Sequence, residues 1–429
     1  MRTCLVARAI LPIALSALSG AAAAEWPQWR GENRDGRSPE TGLVSSWPAD
    51  GPPKAWSAGG FGTGFSSLSV AGGRIFTLGD LPDGQHLIAA KESDGSILWK
   101  VRVGPIHEDE FPGPRSTPTV AGGRVFALGT EGDLVCVQAS DGKELWRKNI
   151  LSSGSQRLRW KISESPLVDG DRVIVTPGSP GALMLALDAA TGKEIWATKA
   201  SRSLGSKGDD GPGYSSAVIS QGGGVKQYVQ IIGRGAIGVE AATGKLLWNY
   251  NKVANDVANI PTPLVSGDFV FVSTGYQTGA ALLQISSSGS GVTAAERYFL
   301  PHTVFQNHHG NMILDQGVIY AGHGHNRGNP IAIQMESGKV LWGPADNSGS
   351  GSAAVAWADG KLYLRYQNGR MVMAEAAPGG YKELGAFTIP DVQRHSWSHP
   401  VISGGVLYLR EQDQIHAYPQ RGAQGAPAR

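Results

Sequence analysis

Ala186-Leu187-Asp188-Ala189-Ala190-Thr191-Gly192-Lys193-Glu194-Ile195-Trp196 is a phrase that the chain repeats, and its repetition decides the fold. Other copies read Ser93-Asp94-Gly95-Ser96-Ile97-Leu98-Trp99, Ser140-Asp141-Gly142-Lys143-Glu144-Leu145-Trp146, Thr243-Gly244-Lys245-Leu246-Leu247-Trp248 and Ser337-Gly338-Lys339-Val340-Leu341-Trp342. The tryptophans stand 47, 50, 52 and 94 residues apart, the last gap being two periods with a degenerate copy between. Self-similarity at such a period marks a repeat architecture.

The stretch 116–150 shows the inside of one unit. Thr119-Val120 precedes the turn Ala121-Gly122-Gly123, then come Arg124–Leu128, Leu134–Ala139, the turn Asp141-Gly142 and the outer run Glu144–Lys148. Short apolar runs broken by Gly and Asp read as strands joined by hairpins, because tight turns demand the positive φ that glycine tolerates. Four strands per repeat describe one blade of a β-propeller. The expected fold is all-β, with eight four-stranded antiparallel blades at 65–104, 116–150, 164–200, 214–251, 260–300, 308–347, 351–391 and from about 396 onward. Blades five and seven carry Tyr298-Phe299 and Phe387 where the others have tryptophan. Blade eight has only three strands of its own, so Lys54-Ala55-Trp56-Ser57 is expected to supply the fourth and close the ring without an open edge. The repeated tryptophans read as packing between blades, with indole N–H groups seeking backbone acceptors.

Residues 1–24 read as a signal peptide, with Arg2 and Arg8, the apolar Ala9–Leu18 and a small-residue cleavage site before Glu25. Residues 25–53 are an N-terminal extension, 54–421 the propeller and 422–429 a disordered tail. The leader is too short for a comfortable membrane span, and no cysteine follows it to carry a lipid. A periplasmic or secreted, monomeric protein is expected. Of 38 basic side chains, removing Arg2 and Arg8 leaves 36 against 36 acidic ones, which argues against a nucleic-acid surface. Cys136 is left without an intramolecular disulfide partner.

Strand order places the connections between blades, and the turns between second and third strands, on one face. Nine of the ten histidines fall there, His107 included and His416 excepted. The densest part is His302 and Asn307-His308-His309-Gly310-Asn311, followed by His323-Gly324-His325-Asn326-Arg327, and blade eight adds His395-Ser396-Trp397-Ser398-His399. Arg115, Lys161, Glu164, Tyr214, Arg234 and Asn259 approach the same mouth, as does Trp160. His308, His323 and His325 are candidate metal ligands, since neutral imidazole is a common ligand. The same side chains, with Arg327, could instead hydrogen-bond a small polar ligand or a partner loop, or satisfy one another. Glu108-Asp109-Glu110 reads either as a calcium loop or as a solvated one.

The phrase 186–196 is similar, position by position, to the tryptophan-docking motif of quinoprotein alcohol dehydrogenase propellers. The blades also resemble those of outer-membrane assembly lipoproteins. Glu25-Trp26-Pro27-Gln28-Trp29-Arg30-Gly31-Glu32-Asn33-Arg34-Asp35-Gly36 resembles a secreted bacterial group of PQQ-binding-like propellers. One resemblance implies a quinone-dependent oxidoreductase, with Arg115, Arg234 and Trp397 holding PQQ and Glu164 near a calcium ion. The other implies a structural scaffold. The adjacent cysteines common in the dehydrogenases are absent, as is the lipidated cysteine of the assembly factors.

Overall fold

The computed structural model describes residues 24–106, 108–151, 158–289 and 291–422. The expected leader up to residue 23, the tail after residue 422 and His107 lie outside the described residues. Eight antiparallel sheets follow one another round a ring, each with its first strand innermost and its fourth outermost. In blade two the order is Thr119–Ala121, Arg124–Leu128, Asp133–Gln138 and Glu144–Asn149. Middle strands are mostly buried and largely apolar, as in Leu134-Val135-Cys136-Val137, because a neighbouring blade covers each face.

The core is accordingly a ring of clusters, each filled from neighbouring blades. Between blades three and four, for example, Ile174, Leu183 and Trp196 meet Tyr228 and Ile237. Trp196 is 8% exposed, so the reading of these tryptophans as inter-blade packing holds there. Its indole donates to Ala241 O at 3.3 Å, as Trp146 donates to Ala189 O at 3.1 Å. The glycine of each phrase is the docking platform for the preceding tryptophan. Gly192 has φ +69°, and a Cβ there would lie 2.7 Å from the Trp146 ring. Trp99 meets Gly142 and Trp196 meets Gly244 in the same way, and Tyr298 takes the equivalent place on Gly338.

Trp248 departs from this pattern. Blade five pairs Gly279–Ser288 with Gly291–Pro301 in a long hairpin and offers no docking glycine in the same phrase. The ring of Trp248 turns onto Gly238 of its own blade, and its N–H bonds Gln227 Oε1 at 2.6 Å.

Blade eight closes as expected, with the closing strand at 56–58 in place of the expected 54–57. Trp56–Ala58 pairs antiparallel with Gln414–Pro419, outside Val406–Glu411 and Val401–Ser403. Trp56 then docks on Gly95 of blade one, so the repeat contact continues across the closure.

The N-terminal segment does more than lead into that strand. Ala24 accepts from Ser403 of blade eight, Trp26 pairs with Val70 of blade one, and Pro27 O accepts from Val120 of blade two. Arg34 donates to Ser165 O at 2.8 Å and Pro166 O at 3.1 Å in blade three. Trp29 Nε1 donates to Thr262 Oγ1 at 3.0 Å before blade five, Arg30 donates to Met312 O of blade six, and Arg37 pairs with Asp315 at 2.6 Å. Arg37–Ser38 finally adds a parallel strand inside Ala353–Ala358 of blade seven. Residues 24–38 therefore form a strap across the axis, tied to inner strands on nearly every side. The chain returns outward through Trp47, which packs against Tyr363 and Phe387.

Candidate functional site

Above the strap lies a cavity of about 500 Å³. Its walls come from connections and turns on a single face: Phe65 before blade one, Phe111 and Arg115 before blade two, Trp160 before blade three, and Tyr214 before blade four. Tyr276, His308, His309, His325, Trp397 and His399 complete the far side, and Trp29 of the strap forms the floor.

Of the residues expected at the mouth, Arg115, Trp160, Tyr214, His308, His309, Asn311, His325, Asn326, His395, Trp397 and His399 line this cavity. The others do not. Glu164 is 2% exposed, and its carboxylate accepts from Thr176 N, Thr176 Oγ1 and Gln230 Nε2 at 2.7–3.0 Å. Burial raises its pKa to about 7, against the opposing pull of those hydrogen bonds and of Arg34. Arg234 faces Asp210 at 2.8 Å and Gly208 O. Asn307 is spent on Asn311 O and Gly322 O, bracing the turn before blade six. His323 accepts from Gln306 N and lies beside Phe305, apart from the cavity histidines, with Arg327 on the exposed turn nearby. The expected trio His308, His323 and His325 is thus not gathered at the cavity. Among the described residues, no group of three or more His, Cys, Asp or Glu side chains is arranged to hold a metal ion.

The cavity histidines are a packed set of neutral rings. His308 lies 4.5 Å from His309 and 4.3 Å from His325, centroid to centroid. Burial holds the pKa of His308 at about 2, with His309 and His325 adding repulsion. His309 and His399 are each held at about 3, again mainly by burial. One proton arrangement follows from the bonds round His308. Ser352 Oγ donates to Asn326 Oδ1 at 3.2 Å, so His308 Nδ1–H donates to Ser352 Oγ at 2.8 Å and Tyr276 O–H donates to Nε2 at 3.1 Å. Tyr276 and Gln277 both hold positive φ, 53° and 62°, an uncommon conformation outside glycine and a sign of local constraint in this turn.

Arg115 stitches the loops together, donating to Phe111 O at 2.6 Å and Trp160 O at 3.2 Å beside Asp109. Trp397 is boxed in by Phe65, Phe111, His309 and a stacked His395, with its N–H on Gln367 Oε1. Sequence reasoning missed Trp29, Phe65, Phe111, Tyr276 and Gln367. Phe111, Tyr276 and Gln367 sit in the same connections and turns as the expected residues, but lack the titratable chemistry that drew attention to the others. Trp29 lies outside the repeats altogether.

A calcium-bound quinone, implied by the dehydrogenase resemblance, does not match these side chains. Calcium takes six to eight oxygen ligands, usually including carboxylates. Glu164, the carboxylate assigned to it, is turned away and fully engaged, and Arg234 stands outside the cavity.

The profile of the PQQ_2 family, described as outer membrane protein assembly factor BamB, matches residues 29–128 and 83–344. The quinohemoprotein alcohol dehydrogenase ADH IIB of Pseudomonas putida is 26% identical over 223 residues, covering 48% of this chain and 30% of that protein. BamB of Burkholderia pseudomallei is 27% identical over 139 residues, covering 30% of this chain and 33% of its own length. The chain thus spans about a third of these curated relatives. In structure, the quinohemoprotein alcohol dehydrogenase of Comamonas testosteroni superposes with a TM-score of 0.63 at 13% identity, covering 95% of this chain and 82% of that one. BamB of Moraxella catarrhalis gives 0.58 at 12% identity, covering 86% and 99%. At those identities the superpositions establish the fold alone. With a profile match spanning most of the propeller, the chain belongs to the PQQ_2 family of BamB-like, eight-bladed repeat propellers.

Proposed function

We propose that this protein is a cell-envelope binding propeller that holds a small ligand, or the tip of a partner loop, in its central cavity. The observation that carries this reading is the cavity itself: about 500 Å³, walled by aromatic rings and neutral imidazoles, and closed below by a dedicated strap. Ligand sites are characteristically concave and mostly apolar, with a few converging polar groups. A propeller needing only its blades for stability has no use for a tryptophan held across its axis. An envelope location is supported by the leader-like N-terminus and by relatives named as outer-membrane assembly factors. Among the described residues, no helix is long and apolar enough to cross a membrane.

A quinone-dependent oxidoreductase is supported by the name of one relative and opposed by the disposition of Glu164 and Arg234. A purely structural scaffold leaves the cavity without a role.

The test is native mass spectrometry of the purified full chain against a small-molecule library. A specific adduct is expected, and it should be lost in His325→Trp, which fills the mouth from a half-exposed turn. Adducts that persist unchanged in this variant would place binding elsewhere and end the reading.

A further inference from the structure

We propose that the ligand of this cavity is an uncharged, puckered ring carrying several hydroxyl groups: a neutral saccharide unit. The inference rests on the cavity being the binding site, and three independent features of the cavity carry it.

The first is charge. The cations that line the cavity already have partners: Arg115 is bound to Asp109 and to loop carbonyls, and Arg159 lies 3.0 Å from Glu110. Glu110 also accepts from Trp160 Nε1 at 3.1 Å. His308, His309 and His399 are held neutral by burial. An anionic ligand would meet only guanidiniums already paired with carboxylates, and a cation no cluster of carboxylates among the described residues. Burying an unpaired charge is costly.

The second is shape. Rings round the cavity are inclined to one another rather than parallel: Trp160 to Tyr214 at 55°, Tyr276 to His325 at 53°, Trp29 to His399 at 62°. The one near-parallel pair, Trp397 and His395 at 20°, is already in contact at 4.7 Å and leaves no slot between. Tilted rings make a bowl. A flat heteroaromatic needs a slot, whereas the C–H faces of a puckered ring can rest on several inclined walls.

The third is hydrogen bonding. His309 Nε2, His325 Nδ1 and Ser163 Oγ belong to cavity-lining side chains, have no hydrogen-bond partner among the described residues and lie just behind the cavity wall, where a turn of the ring or hydroxyl brings them to a ligand. A neutral imidazole nitrogen either donates or accepts according to tautomer. A hydroxyl does both, so a polyol satisfies this set in either tautomer, while a ligand bearing only acceptors does not. Trp160 is the wall best fixed for stacking, since Arg159 lies over its ring and Glu110 holds its N–H.

The test uses the full chain, titrated with neutral methyl glycosides and disaccharides, with the matching uronates, and with pyrroloquinoline quinone plus calcium, followed by tryptophan fluorescence and calorimetry. Neutral sugars are expected to bind at least about tenfold more tightly than uronates of the same ring, since the added carboxylate enters unpaired. Trp160→Ala should abolish binding at an unchanged melting temperature, and Trp160→Phe should retain most of it. If uronates or the quinone bind more tightly, and lose binding in Trp160→Ala, the saccharide assignment falls while the cavity remains the site. Failure of every neutral sugar also overturns the assignment. Whether the binding function falls with it is then decided separately, by the adducts of His325→Trp.

Discussion

His399 joins the strap to the mouth: its Nε2–H donates to His309 O at 3.1 Å and its ring meets the edge of Trp29 at 4.6 Å. Burial holds its pKa at about 3 in the folded protein, against about 6.5 in an unfolded chain. Between these values the unfolded state binds a proton that the folded state refuses. Stability from this group is therefore complete above about pH 6.5 and falls as pH drops toward 3, by at most about 1.4 kcal/mol per pH unit. Glu164 has the opposite sign. Its raised pKa favours folding below the unfolded carboxyl range, and that contribution fades as pH rises through about 7. His399→Gln keeps a donor for His309 O but cannot titrate. Its unfolding free energy, measured in urea between pH 7.5 and 4.5, should fall less steeply than that of the parent chain. Equal slopes would show that His399 is not the buried neutral ring described.

At the level of elements, the strap has no counterpart in the repeat, and this is why it escaped the sequence. Self-similarity finds what recurs, and Trp26–Ser38 occurs once. Arg30 and Arg34 resemble surface charges in a polar segment, yet they are 3% exposed and donate to backbone carbonyls of blades six and three. Both hold positive φ, 60° and 58°, which no residue pattern announced. The closing strand, by contrast, was legible because Trp56 belongs to the repeat and blade eight lacked an outer partner. Arg34→Ala should cost roughly 1.5–3 kcal/mol, the range for hydrogen bonds made by a charged group. Arg34→Lys should restore little, because one ammonium cannot reach Ser165 O, Pro166 O and Gln28 Oε1 in the geometry of a guanidinium fork. Chemical denaturation of the two variants gives the comparison. A loss in Arg34→Ala that Lys repairs fully would mean that charge alone, and not the fork, holds the strap.

Across the whole molecule, the ring and the face that gathers the connecting loops followed from strand order, but which side chains turn inward did not. Glu164 and Asn307 approach the mouth as expected and then bond sideways or downward, since local turn geometry decides direction. The same strand logic yields the strongest prediction for the assembled ring. Trp56–Ala58 supplies the outer strand of blade eight, through the Ser57↔His416 register, a bond from Ala55 N to Ala417 O at 2.8 Å and the Trp56 ring on Gly95. Deleting residues 25–53 removes the strap but leaves this strand. The product should be less stable yet monomeric on size exclusion. Deleting 25–58 also bares the Gln414–Pro419 edge, whose free backbone groups invite pairing with another chain. That longer deletion should aggregate or form higher oligomers, and the five added residues should account for the difference. A monomeric, cooperatively unfolding product of the longer deletion would show that the propeller closes without its N-terminal strand.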